Sequence, residues 1–241
     1  MDYGKSEMKL RHSMFPTEKK DLKPFSLKIG EERGLKNTYE LKNPFMISAM
    51  SYGALGKNAV RALARGAKYA GIAMNTGEGG HPKYHLLEGC DLIFQMGTAK
   101  FGTRNEDGSL NVEKLKEISN LSNVKMIEIK FSQGAKPGKG GMLPKEKISK
   151  EISELRGVPM GKDVISPARH IECTSSENTV KFIKSIQDIS ALPVGIKICI
   201  GKVSEFEGLI EEMKSQDLFP DYIAIDGAEG GTGAAPKTFM D

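Results

Sequence analysis

From Phe45 onward the chain alternates short apolar runs that end in glycine with segments of helical hydrophobic period. The runs at 45–50, 72–75, 92–96, 125–131, 194–200 and 222–226 predict six strands. Between them, 57–70 puts Val60, Leu63, Ala64, Ala67 and Ala70 on one face, with Lys57, Arg61, Arg65 and Lys68 mostly elsewhere. Residues 111–121 repeat Val112, Leu115, Ile118 and Leu121, and 176–189 repeat Val180, Ile183, Ile186 and Ile189. Thr174-x-x-Glu177 enters the latter as a capping box, and Ser204-x-x-Glu207 does the same for a helix over 204–214. Strand and helix alternate, which predicts a parallel β/α architecture.

Within the strands, period two separates charge from apolar bulk. In Met126–Phe131 it sets Glu128 and Lys130 on one face and Ile127, Ile129 and Phe131 on the other. Ile196, Ile198 and Ile200 share a face opposite Gly195, Lys197 and Cys199, and Ile223 and Ile225 oppose Tyr222, Ala224 and Asp226. A doubly covered open sheet wants both faces apolar. Ionisable groups on one face of three strands point instead to a barrel of TIM type, with helices outside and charges near the C-terminal mouth. A charge on an exposed strand face is the plainer alternative.

Residues 1–44 are polar and broken by Pro16, Pro24, Gly30, Gly34 and Pro44. They read as a lead-in arm with little core of its own, leaving 45–241 as the barrel domain. The net charge of +4 comes from 35 basic and 31 acidic residues that interleave, so a nucleic-acid partner is not expected. No uncharged apolar stretch approaches the roughly 20 residues of a membrane span; Val194–Ile200 is interrupted by Lys197. The three cysteines, Cys90, Cys173 and Cys199, lie far apart. They suit reduced thiols in a cytoplasmic protein and neither a disulfide frame nor a zinc site. His81 and His85 are separated by Pro82, which argues against a shared helical metal face.

Four glycine-rich segments follow predicted strands: 48–53, 75–80, 132–141 and 226–233. Glycine admits backbone N–H groups close to a ligand, and the C-terminal ends of barrel strands are where active sites form. None of the four matches a P-loop or a dinucleotide fingerprint. Together with Gly97-Thr-Ala-Lys-Phe-Gly102, Ile165-Ser-Pro-Ala-Arg-His170 and Arg156 in Glu-Leu-Arg-Gly, these loops resemble the FMN-binding barrel of the glutamate synthase family. The resemblance runs from about Pro44 to Asp241 and is closest to the stand-alone FMN-binding glutamate-synthase-like proteins. It implies an oxidoreductase in which FMN reduces 2-iminoglutarate, formed from 2-oxoglutarate and ammonia, to L-glutamate, with ferredoxin or another electron donor.

Carried over position by position, the resemblance sets Ala49, Met50 and Ser51 along the flavin, with Asn75 and Thr76 from the second strand. Lys197 corresponds to the lysine near the flavin ring, and Gly230, Gly231 and Thr232 to a later cofactor-facing loop. Gln133, Lys136 and Arg156 correspond to positions that hold the 2-oxo acid, and Glu78 to the acidic residue of the active-site loop. Met142 stands where the larger synthases place a glutamine. The chemistry suits these assignments: a lysine near flavin N1 favours the negative charge that develops on reduction. Lys136 and Arg156 can clamp two carboxylates. Glu78 can protonate or position the imino nitrogen, provided burial raises its pKa.

Each residue also has a plainer role. Lys197 can pair with Asp226 or Glu128, Lys136 and Lys139 can be solvated, and Glu78 can merely solubilise a loop. Arg156 can serve the C-terminal dipole of a helix carrying Ile148, Ile152 and Leu155. Met50 can be core filler.

A complete (β/α)₈ barrel takes about 250 residues, so the six strands counted here predict an incomplete one with exposed edges. By the resemblance, two further β/α units with the phosphate grip on FMN, and a cysteine cluster for an iron–sulfur centre, would follow Asp241. This chain is not expected to support that cluster; either a complementary polypeptide supplies the missing units or the chain is a truncated product. The rival readings are another FMN barrel, such as a 2-hydroxy acid oxidase or a type 2 isopentenyl diphosphate isomerase, and a non-catalytic fragment.

Overall fold

A computed structural model of the protein describes residues 13–136 and 140–227. The chain opens with a hairpin of β1 (Leu27–Ile29) and β2 (Tyr39–Leu41), and runs on through α1 (Lys57–Ala70), β3 (Met74–Asn75), α2 (Lys83–Leu86) and β4 (Leu92–Met96). Then come α3 (Val112–Ser119), β5 (Val124–Lys130), β6 (Met142–Leu143), α4 (Lys150–Arg156) and β7 (Val164–Ile165). The last elements are α5 (Ser176–Ser190), β8 (Val194–Ile198), α6 (Val203–Gln216) and β9 (Tyr222–Ile225). Five of these strands form one all-parallel sheet in the order β3-β4-β5-β8-β9. The sheet curls into part of a TIM-type barrel with helices outside, as the charge pattern in the strands predicted. The β6–β7 pair is a small antiparallel clip beyond its C-terminal mouth.

The two faces of the sheet divide as period two requires. Outward-facing Leu92, Phe94, Ile127, Ile129, Val194 and Ile196 are buried against Ala64 and Ala67 of α1, Leu115 of α3, Ile183 and Ile186 of α5 and Met213 of α6. A fully buried side chain of this size contributes about 1.5–3 kcal/mol, so this face holds the fold together. The inner face is graded along the strands. At its N-terminal end Ala73, Ile93 and Met126 are covered by Ile29, Tyr39 and Leu41 of the hairpin. Arg33, in the hairpin turn, holds that plug in place: its Nε and Nη2 donate to the two Asp221 oxygens at 2.9 and 2.7 Å. Further along, the inner face turns polar.

The expected strand 45–50 is reduced to one parallel bridge between Ile47 and Met74. Ile47 donates to Ala73 O and accepts from Asn75 N, both at 2.9 Å. Because β3 is only two residues long, it offers no ladder for more, and Phe45 and Met46 are left exposed. The 194–200 strand stops at Ile198 because Cys199 N donates to the Ser132 hydroxyl at 2.8 Å in place of a ladder carbonyl.

Helix boundaries match the hydrophobic period better than the capping boxes. The N-cap of α5 is Ser175, whose hydroxyl accepts from Asn178 N, while Thr174 takes the Asn178 side chain. In α6 the N-cap is Lys202 with no side-chain bond, and Ser204 lies inside the first turn. Among the described residues no helix is long and apolar enough to cross a membrane.

Candidate active site

The polar part of the inner face is built on Glu128. It is 3% exposed, and its Oε1 accepts from the Asn75 and Gln95 side-chain amides at 2.8 and 2.7 Å. The Tyr222 hydroxyl donates to its Oε2 at 3.2 Å. Three neutral donors thus solvate this carboxylate in place of water, which is how a buried acid stays hydrogen-bonded without a cation. Asn75 is fully engaged, since its Oδ1 also accepts from Gly77 N at 3.0 Å. Thr76 is likewise turned into the protein, donating to Gly77 O and accepting from Gln95 N.

One residue pair further along, Lys130 and Lys197 extend from the same face. Lys197 Nζ lies 3.5 Å from Asp226 Oδ1. A concave cavity of about 440 Å³ beside it is lined by Met46, Ala49, Asn75, Glu128, Ala224 and Ile225 as well. Lys130 Nζ contacts Glu78 Oε1 at 2.6 Å and donates to Gln133 Oε1 at 2.8 Å. Lys136 stands 3.8 Å from the same Glu78 oxygen. Glu78 is delivered by the loop after β3, whose close packing depends on glycine. Gly77, at φ +63°, would place a Cβ 2.7 Å from Ser51 N, and a Cβ at Gly97 would fall on the Glu78 carboxylate itself.

Arg156 closes the other side. As the last residue of α4 it is 8% exposed, with its guanidinium carbon 5.0 Å from the Phe101 ring centroid and Nη2 donating to Tyr52 O at 3.3 Å. Its Nε is buried and has no partner among the described residues. Arg156, Glu78, Lys136, Ser51, Phe101 and Met142 line a cleft of about 170 Å³. The helix that carries Arg156 is anchored by Glu151, which accepts from the Tyr52 and Tyr84 hydroxyls and from Lys83 at 2.6–2.8 Å. These bonds hold the Glu151 carboxyl down at about 2.

The electrostatics correct one expectation. Burial alone pushes the Glu78 carboxyl upward, but the charges of Lys130, Lys136 and Arg156 with the Lys130 hydrogen bond outweigh it, so its pKa is lowered. Glu78 is therefore held as a carboxylate. Lys136 moves the opposite way for a cation: burial lowers its pKa, opposed by Glu78 and reinforced by Lys130. Burial also lowers the Arg156 guanidinium, which Glu78 opposes.

The structure thus gathers Glu78, Gln133, Lys136 and Arg156 at the mouth and sets Ala49, Asn75 and Lys197 around the neighbouring concave cavity. Ser51 lines the Arg156 cleft and not the concave cavity. Met50 contributes backbone: its N bonds Asn75 O at 3.4 Å, and its O meets His85 Nε2 at 3.0 Å. Gly230, Gly231 and Thr232 lie outside the described residues, as does Lys139. Two residues of the site were not singled out from sequence. Lys130 was legible only as a charge on the inner face of its strand. Asp226 was legible only as a candidate partner for Lys197, the pairing observed here.

Residues 3–241 match the family described as a conserved region in glutamate synthase. The chain is 40% identical over 215 residues to the glutamate synthase large subunit-like protein YerD of Bacillus subtilis (strain 168), covering 89% of this chain and 41% of that protein. It is 39% identical over 202 residues to an archaeal glutamate synthase (NADPH) of Methanocaldococcus jannaschii, covering 84% and 37%. An archaeal-type glutamate synthase (NADPH) of Thermotoga maritima gives 40% over 206 residues, again 84% and 37%. The chain spans about two fifths of the length of the curated relatives it matches. By the match along nearly its whole length, this chain belongs to the glutamate synthase conserved-region family.

Proposed function

We propose that this chain carries the 2-oxo acid and flavin-facing half of an FMN-dependent glutamate synthase, converting 2-oxoglutarate and ammonia through 2-iminoglutarate to L-glutamate. The observation that supports this most is the Glu78–Lys130 contact at 2.6 Å beside the cleft that Glu78 and Arg156 line together, the buried Nε of Arg156 having no partner among the described residues. A cleft lined by the Lys136 ammonium and by the rigid planar donor fork of Arg156 suits a dicarboxylate. Arg156 binds one carboxylate in a fixed plane, because Phe101 supports its guanidinium from one side. Lys136 meets the other carboxylate. Glu78, kept ionised, accepts a hydrogen bond from the iminium nitrogen and orients the C2 carbon toward the concave cavity.

The concave cavity fits an isoalloxazine in its donor set: apolar walls from Met46, Ala49 and Ile225 for the ring faces, and the Lys197 cation for an edge. FMN, when bound and reduced, supplies the hydride that adds to the imine carbon. Lys197 would favour the negative charge that the ring edge gains on reduction, before the hydride leaves. An electron donor, such as ferredoxin, belongs to the same proposal.

Incubation with FMN, a chemical reductant, 2-oxoglutarate and ammonium, followed by glutamate assay, tests the reading. Wild-type protein is expected to form glutamate. Glu78→Gln is expected to keep the flavin spectrum and lose turnover by about 10²-fold or more. Unchanged turnover in Glu78→Gln removes its role, and flavin-loaded protein that never forms glutamate overturns the reaction.

A further inference from the structure

Asp226 stands at the end of β9 with its two oxygens committed to different places. Oδ1 lies 3.5 Å from Lys197 Nζ, and Oδ2 accepts from Gly134 N at 3.0 Å. Gly134 follows Gln133, whose Oε1 accepts from Lys130, and Lys130 in turn grips Glu78. A single unbroken run of contacts therefore joins the lysine beside the concave cavity to the carboxylate of the acid cleft. The strand end is fixed as well, since Asp226 N donates to Ile198 O at 2.7 Å. Its side chain is consequently held between two unlike partners, an ammonium and a backbone N–H.

We infer that Asp226 is a positioning residue that couples the two cavities, so that occupancy beside Lys197 changes the hold of the 132–136 loop on a 2-oxo dicarboxylate. This rests on the function proposed above and adds to it a device for linking the two binding events. The physics is a competition for one carboxylate. An anionic edge that draws the Lys197 ammonium off Asp226 leaves Asp226 to bond Gly134 more strongly, because a hydrogen bond to an ion is strengthened when the ion loses another partner. Gly134 and Gln133 then hold Lys130 and Glu78 more firmly. Linkage makes the effect reciprocal: the acid must tighten the cofactor by the same factor.

Two measurements decide it. In the ligand-free protein, amide hydrogen exchange at Gly134 is expected to be slow in wild type and in Asp226→Asn, whose side-chain oxygen still accepts. In Asp226→Ala it is expected to be at least about tenfold faster. Exchange at Gly134 that is unchanged in Asp226→Ala overturns the inference without any ligand being involved. Calorimetric titration of 2-oxoglutarate, with and without FMN, then reads the coupling. Wild type is expected to bind the acid about fivefold or more tightly when FMN is present. Asp226→Ala and Asp226→Asn are both expected to bring that ratio close to one, the latter because the charge is gone while the hydrogen bond remains. A purely structural role would weaken both affinities and leave the ratio intact, which would overturn the coupling. Wild-type protein that binds neither ligand, with Gly134 protected as expected, would instead count against the proposed function.

Discussion

Lys130 and Lys197 are register partners on adjacent parallel strands, yet their ammonium groups part, one to Glu78 at 2.6 Å and the other to Asp226 at 3.5 Å. Like charges on neighbouring strands repel. Here each has its own carboxylate, and the divergence sets Lys130 toward the loop that carries Glu78 and Lys197 toward the concave cavity. Lys130→Met should remove the principal cation that holds Glu78 down, so the Glu78 pKa rises. The acid limb of the kcat/KM profile for 2-oxoglutarate is then expected to move to higher pH. A profile that does not move would show that Lys136 and Arg156 suffice.

Gly97→Ala should act on Glu78 alone. The added methyl falls on the Glu78 carboxylate, the far end of a flexible side chain, while the strand behind it has no reason to shift. Thermal stability is expected to change by less than about 1 kcal/mol, with glutamate formation falling about as far as in Glu78→Gln. Loss of stability on the scale of a core mutation would contradict this.

Arg156→Lys keeps the charge and loses the planar fork. The unpartnered Nε and the stacking on Phe101 both depend on the guanidinium. The KM for 2-oxoglutarate should rise by about tenfold or more, and a monocarboxylic 2-oxo acid should be less affected. Steady-state kinetics with the two acids gives the comparison.

His170 makes stability depend on pH. It is fully buried between the Phe131 and Phe182 rings, and its Nε2 bonds Lys130 O at 3.0 Å, where only a protonated nitrogen can donate. Burial depresses its pKa to about 4, opposed by the Lys130 carbonyl and reinforced by Lys100. The unfolded chain, with an ordinary pKa near 6.5, binds the proton first. Stability is thus complete above about pH 6.5 and falls as the pH drops toward 4, by up to about 3 kcal/mol. Urea midpoints at pH 7 and pH 5 should differ in wild type, and the difference should shrink in His170→Gln.

Removing Arg33 should loosen the N-terminal plug. Asp221 has a side chain 2% exposed and, among the described residues, would keep only Val194 N at 2.6 Å, so Arg33→Ala leaves a buried carboxylate without its cation. A loss of about 3 kcal/mol is expected from urea denaturation. Asp221→Asn with Arg33→Ala should recover part of it.

Much of the fold was legible because it rests on short-range periodicity. The helix 57–70 is found at those residues, and the Glu128/Lys130 alternation states which face of β5 looks inward. The hairpin around Arg33 was not legible. Its strands are three residues long, too short for a pattern, and its apolar residues find their partners far along the chain. The first expected strand failed for a related reason: the 45–50 run has the composition of a strand, but the ladder it needs was set by a two-residue neighbour. In the site, residue types were recoverable from the loops, whereas the contacts were not. Glu78 and Lys130 are 52 positions apart, and nothing local in either segment says that they meet. The downward shift of Glu78 follows from that meeting, so burial alone predicted the wrong direction.

The Arg33–Asp221 tie also has a consequence for synthesis. The two residues are 188 positions apart. At roughly 5–20 residues per second of translation, Arg33 emerges some tens of seconds before its partner exists. During that interval Ile29, Tyr39 and Leu41 have no complete seat, because Ala73, Ile93 and Met126 arrive in turn. The hairpin therefore waits for its seat during synthesis, and slowing translation between residues 93 and 126 should lengthen its exposure to proteases.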